Sequence, residues 1–191
     1  AREQPRYGGP ATRAIPIALA HSLSDLNVAL ITREVLRSVL ITHCDPVTVN
    51  GALAVAHAVR LVVRGEIPLE LVIDEVLSLI DEDAVARCLR GRESVAVPDD
   101  VAGVVCAGMQ AFAGSGGDFE RSIAAAIEAG GATHLAASLA GALAGAHVGA
   151  ARIPPRLVDG LDGRAYILMA SPALLRTAQL RAGLFFHLHL R

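Results

Sequence analysis

Three short stretches hold residues whose types and spacing could do chemistry. The first is Gly130-Gly131-Ala132-Thr133-His134-Leu135, a glycine turn that opens a long apolar helix, Thr133 to Gly149, stopped by Pro154. A helix N-terminus offers unpaired N–H groups and partial positive charge, so it favours anions and carboxylate ligands. The second is Tyr7 to Pro16, where Gly8-Gly9 lets backbone N–H groups converge on an anion. Taken alone, such a pair more often makes only a turn. The third is Thr42-His43-Cys44-Asp45-Pro46. Asp45 reads as an N-cap and Pro46 as the first helical residue, which sets His43 just ahead of a helix start. A histidine there is either a structural hydrogen-bonder or a ligand contact.

Other groups carry less. Asp81-Glu82-Asp83 is a solvated helix end, because neighbouring carboxylates diverge around a helix and cannot close on one metal. His187 and His189 alternate in the apolar tail Leu184 to Leu190, with no third ligand in view. The three cysteines, Cys44, Cys88 and Cys106, are widely spaced and odd in number, which predicts reduced, buried thiols in a cytoplasm. No secretory signal opens the sequence.

The elements that must position these residues are helical. Val28 to Leu40 carries one apolar stripe, and the helix after Asp45 runs to about Gly65, apolar nearly all round and therefore buried. Pro68 to Asp81 reads as one amphipathic helix, and Arg87 to Pro98 as a polar connection. Asp99 or Asp100 opens a helix that breaks at Gly114 to Gly117, and Asp118 caps Phe119 to Ala129. Ala173 to Arg181 is the last helix. Ala1 to Pro16 reads as loop, since Tyr7-Gly8-Gly9-Pro10 cannot continue a helix. Gly141, Gly145 and Gly149 share one face of the helix after Gly131, which is read as the central helix of the fold, with a neighbouring backbone pressed against that face.

No segment alternates like a strand, so the expected fold is all-α, a single-domain orthogonal bundle of roughly six to eight helices. Composition agrees: 53% of residues are hydrophobic and 3% aromatic, which suits buried helices rich in alanine, leucine and valine. The net charge of −2 supplies no basic field for nucleic acid. The least charged run, Leu135 to Ala151, is too alanine- and glycine-rich for a membrane span.

The three stretches stand in the order and frame of a known family. Gly130, Gly131, Thr133, Gly141 to Leu143, Gly145, Ala146, Gly149, Ile153 and Pro154 match the G-G-D-T-D-T turn, glycine-rich helix and I-P of the ADP-ribosylglycohydrolases. Tyr7 to Pro16 resembles that family's G-N-G-x-x-M-R-x-x-P loop, keeping Gly9, Arg13 and Pro16 but placing Gly8 and Thr12 where the family has asparagine and methionine. Thr42-His43-Cys44-Asp45-Pro46 matches T-H-x-D-P. The resemblance runs from Tyr7 to about Ser171 and corresponds to roughly the last two thirds of a member. It implies a truncated helical domain over 1–171, its N-terminal part missing, with a helix and tail over 172–191.

The resemblance also implies hydrolysis of the glycosidic bond between ADP-ribose and an acceptor, run by two magnesium ions. The turn that would supply their ligands reads Ala132, His134 and Leu135 here. The reading is therefore a degenerate member: catalytic residues none, metal ligands none, no cofactor expected. Gly8, Gly9, His43, Gly130 and Gly131 remain as residues for ADP-ribose or another phosphate ligand. Two alternatives stand beside it. One is an active hydrolase completed by another chain or another metal. The other is an interaction protein on the same scaffold. The expected partners are ADP-ribose or an ADP-ribosylated protein, without nucleic acid or membrane. A homo-oligomer or partner chain is expected to cover the apolar face left by the truncation.

Overall fold

The computed structural model describes residues 7–24, 27–91 and 100–184. Most of the polar connection read at 87–98 and the tail from 185 onward, with His187 and His189, lie outside the described residues. Among the described residues there are ten α-helices and two short 3-10 turns. They are α1 Gly9–Ala20, α2 Val28–Val39, α3 Pro46–Arg64, α4 Val72–Leu79, α5 Ala84–Leu89, α6 Val101–Gly114, α7 Phe119–Glu128, α8 Thr133–Val148, α9 Pro155–Asp159 and α10 Arg164–Arg181. The all-α reading stands, and the count rises above eight because α1 and α5 were not foreseen and the weak helical pattern after Pro155 forms a separate short helix, α9.

Each omission has a cause. Tyr7 to Pro16 is not loop beyond Gly8: Pro10 sits in the first turn of α1, where its missing N–H costs nothing, and the helix runs on through Pro16. The acidic run Asp81-Glu82-Asp83 ends no helix. The Asp83 carboxylate accepts from Val85 N (2.8 Å) and Ala86 N (3.3 Å) and so starts α5. The segment from Pro68 is a 3-10 turn, Leu69–Leu71, followed by α4. The last helix begins at Arg164 and passes through Pro172.

The central helix is α3, not α8. It packs against α1, α2, α4, α5, α6 and α8. Its apolar residues, Val55 and Val59 among them, meet Ala11, Ala14 and Ala18 of α1, Val35 of α2, Val105 of α6 and Leu139 of α8 in one core. It is long and apolar enough to cross a membrane, but 67% of that apolar window is buried within the bundle, as in a core helix. By contrast α8 buries one face: Ala136, Leu139, Ala140, Leu143 and Ala144.

The glycines of α8 do not admit a backbone. A Cβ on Gly141 would stand 3.4 Å from Ile123 Cδ1, and one on Gly145 would stand 3.6 Å from Phe119 Cε2. These are side chains of α7 at ordinary contact distance. The tight glycines lie elsewhere. A Cβ on Gly108 of α6 would meet Leu139 side-chain atoms at 2.8–2.9 Å, and one on Gly51 of α3 would meet Val101 Cγ2 at 2.7 Å.

The cysteines also differ from expectation. Cys88 of α5 and Cys106 of α6 are buried, as foreseen, but joined as a disulfide with Cα atoms 6.2 Å apart. Cys44 is exposed and lies outside the disulfide. The reduced-thiol reading is thus corrected, and the cysteines no longer argue for a reducing compartment.

Candidate functional site

Contacts along α6 order the helix ends. Val101 and Val105 face Gly51 near the start of α3, Val104 faces Gly8 at the start of α1, and Gly108 faces Leu139 of α8. Farther on, the Phe112 ring meets the His147 ring edge-on, centroids 6.3 Å apart. So α6 and α8 run in the same sense. Gly108 lies seven residues into α6 and Leu139 six into α8, about 10 Å and 9 Å at 1.5 Å per residue, so the two helices start nearly level. The N-terminal ends of α1, α3, α6 and α8 therefore gather at one end of the bundle. The three sequence stretches are carried there.

At this end α3 and α6 are capped. Asp45 Oδ1 accepts from Thr48 N (2.9 Å), as the sequence predicts, and Asp100 Oδ1 accepts from Gly103 N (2.9 Å). In contrast α1 and α8, whose starts are Gly8 and Ala132, carry no side-chain cap. At α8 the turn is made by Gly130 (φ +80°) and Gly131 (φ +69°), conformations that exclude most other residues.

The Gly8–Gly9 segment is fixed on α6. Tyr7 pairs with Asp100 in a single antiparallel bridge. Gly8 is buried, and a Cβ there would lie 2.8–2.9 Å from Val104 Cγ1, Cγ2 and Cβ. That contact explains why position 8 is glycine here: no side chain fits unless Val104 moves. Around Gly9 there is open space. The Thr12 hydroxyl turns back to donate to Gly9 O (2.9 Å).

His43 is half-buried and bonded to its neighbour: Nδ1 lies 2.9 Å from Thr42 Oγ1. Thr42 Oγ1 in turn accepts from Arg13 Nη2 at 2.6 Å, and the same nitrogen donates to Ser38 O at 3.3 Å. Arg13 thus ties α1 to the end of α2 and to the turn before α3. The residues that sequence reasoning left without a role are Arg13 and Thr42. Both were visible in the matched motifs, but their contact spans a sequence separation of 29 that no local pattern displays.

The remaining predicted residues stay apart from this relay. His134 is exposed on the first turn of α8, and Ala132 and Leu135 are half-buried. Hydrogen bonds around Gly130 and Gly131 are local, Gly130 N to Ile127 O and Thr133 N to Gly131 O.

The family model described as ADP-ribosylglycohydrolase matches residues 2–183. A solved structure titled "ADP-ribosylglycohydrolase-related protein complex" aligns with a TM-score of 0.74 at 24% identity, over 91% of this chain and 61% of that one. This chain therefore spans under two thirds of that neighbour, and the likeness speaks for the fold. No match is found among curated proteins. The family is a metal-using one, and the match overturns the expectation that no cofactor is involved. The residues in hand fit such ions poorly: the α8 turn carries no carboxylate, and no three or more His, Cys, Asp or Glu side chains converge among the described residues. A match over nearly the whole length, on a fold shared with a relative of that family, places this chain among the ADP-ribosylglycohydrolases.

Proposed function

We propose that this chain binds an ADP-ribose-type diphosphate ligand at the end of the bundle where α1, α3, α6 and α8 begin, as a degenerate member whose α8 turn has lost two-magnesium hydrolysis. The observation that carries the proposal is the Arg13–Thr42–His43 relay, which brings two separately matched motifs into one hydrogen-bonded unit. Two features support it. The open space at Gly9 and the starts of α1 and α8, which no side chain caps, suit an anion through the positive ends of the helix dipoles. Arg13 adds the fixed positive charge that a diphosphate favours.

No hydrolytic step is assigned to these residues. Hard divalent ions need several oxygen ligands, and the positions 132, 134 and 135 hold alanine, histidine and leucine. A homo-oligomer belongs to the same proposal. It is supported by the large apolar side chains that α10 leaves uncovered, Tyr166 and Met169 foremost, at 75% and 76% exposure.

Titration calorimetry with ADP-ribose tests the reading. We expect saturable binding that His43→Ala abolishes. Heats no different from dilution, in the presence and absence of magnesium, refute it. The two arms also measure how far binding draws on the metal that the family uses.

A further inference from the structure

The relay fixes more than the position of His43. Thr42 Oγ1 has one proton and three polar neighbours. Arg13 Nη2, at 2.6 Å, can only donate to it. Val39 O, at 3.4 Å, can only accept from it, and His43 Nδ1, at 2.9 Å, can do either. Hydroxyl donors bond at about 2.5–3.0 Å to oxygen, so the Val39 contact lies outside a good hydrogen bond. The hydroxyl proton therefore belongs on the line to Nδ1. With Nδ1 accepting, the neutral ring carries its proton on Nε2.

We infer that Arg13 and Thr42 are positioning residues that set the tautomer of His43, holding Nδ1 as acceptor and presenting Nε2–H as a donor toward the ligand. The inference rests on the ligand-binding reading for its purpose, though not for its geometry. An Nε2–H donor suits a phosphate or hydroxyl oxygen of a nucleoside-diphosphate sugar. The opposite tautomer would present a lone pair and suit a base. Arg13 contributes by polarisation: a hydroxyl that accepts from a guanidinium becomes a stronger donor to the imidazole. Among the described residues, Thr42 is the link between that charge and the ring, since Arg13 donates to Thr42 and to Ser38 O.

The test is two-bond 1H–15N correlation of the free chain labelled in histidine, at a pH where the ring is neutral, with His43 assigned from the spectrum of His43→Gln. We expect a pyridine-like Nδ1 and a pyrrole-like Nε2. Thr42→Val keeps the shape and removes the hydroxyl, so its His43 signals should move toward a mixture of tautomers. Thr42→Ser should restore the wild-type pattern. Unchanged signals from the other histidines would show that each variant is folded. A pyrrole-like Nδ1 in the wild type, or a tautomer indifferent to Thr42→Val, overturns the inference. In calorimetry, Thr42→Val should weaken ADP-ribose binding by about tenfold, the loss of one good hydrogen bond, and Thr42→Ser should not. If ADP-ribose binds no form of the chain, the ligand reading fails while the spectra still decide the tautomer.

Discussion

The core of this bundle holds a histidine whose titration should be visible in the stability of the whole chain. His57 lies midway along α3, 1% exposed, with no hydrogen-bond partner for Nε2 among the described residues. Its pKa is pushed down to about 4 from an ordinary 6.5, first by burial and then by the positive charge of Arg60. A depressed histidine is neutral in the folded chain where the unfolded chain binds a proton, so stability falls as pH drops from 6.5 toward 4. With those two values, the loss between pH 7 and pH 5 is about 2 kcal/mol from this residue. Guanidinium denaturation of the wild type and of His57→Leu at both pH values measures it. The leucine variant should lose about 2 kcal/mol less than the wild type over that interval. At pH 7 the two should lie within about 1 kcal/mol of each other, because the ring is then neutral and its Nε2 makes no bond to the described residues that leucine would forfeit. Glu34 does not confound the comparison. Although buried in part, it is held below the usual carboxylate range by His21 and Arg181, so its contribution is lost only as pH falls through a range lower than this one. Equal losses in the two proteins, or a ring titrating near 6.5 by NMR, would refute the reasoning.

Other expectations follow from packing. Gly108→Ala should cost about 1–3 kcal/mol, since its Cβ would meet Leu139 Cβ at 2.9 Å, whereas Gly145→Ala should gain up to about 1 kcal/mol of helix propensity; thermal denaturation ranks them. Reduction of the Cys88–Cys106 disulfide, which closes a separation of 18 residues, should lower stability by about 3 kcal/mol, near 10 °C in Tm. Thiol titration of the unreduced, denatured chain should find Cys44 alone. Sedimentation at micromolar concentration should give a dimer or larger species that Met169→Glu on α10 dissociates, and a compact wild-type monomer would count against that surface.

What could be read from the sequence was local. The caps at Asp45 and Asp118, and the α6 cap left between Asp99 and Asp100, were legible because an aspartate before an apolar run has one common use; Asp45, Asp100 and Asp118 each accept from the N–H three residues on. The stripe of α2 was legible because only Ile31, Val35 and Val39 are buried in it, a single clean face. Long-range consequences were hidden. Cys88 and Cys106 sit on helices that pack side by side, and nothing in their spacing says so. The glycines of α8 looked like an invitation to a backbone, but whether a glycine admits one depends on the neighbour's side chain. Leu139 presses on Gly108, while Ile123 and Phe119 leave room at Gly141 and Gly145. Prolines pull the reading the other way, because Pro10, like Pro46, sits in a first turn where its missing N–H costs nothing.

The departures from the family pattern fall on particular sides of the candidate site. At position 8 a side chain would meet Val104, and positions 132, 134 and 135 hold alanine, histidine and leucine where the resemblance implies oxygen ligands. These line the approach from α6 and α8. The retained residues, Gly9, Arg13, Thr42, His43 and Asp45, lie on α1 and on the turn into α3, and there the side chains are held by hydrogen bonds rather than merely present. On the proposed reading, a ligand would be gripped from the α1–α3 side, through its anionic and hydroxyl oxygens, with its glycosidic bond toward an α8 turn that carries no carboxylate. The site, on the proposed reading, would hold a nucleotide sugar without cleaving it. Affinity should then respond to substitutions at Arg13, Thr42 and His43 and be indifferent to His134→Ala. A calorimetric loss at His134 comparable to that at His43 would place the ligand on the other side and reverse the assignment.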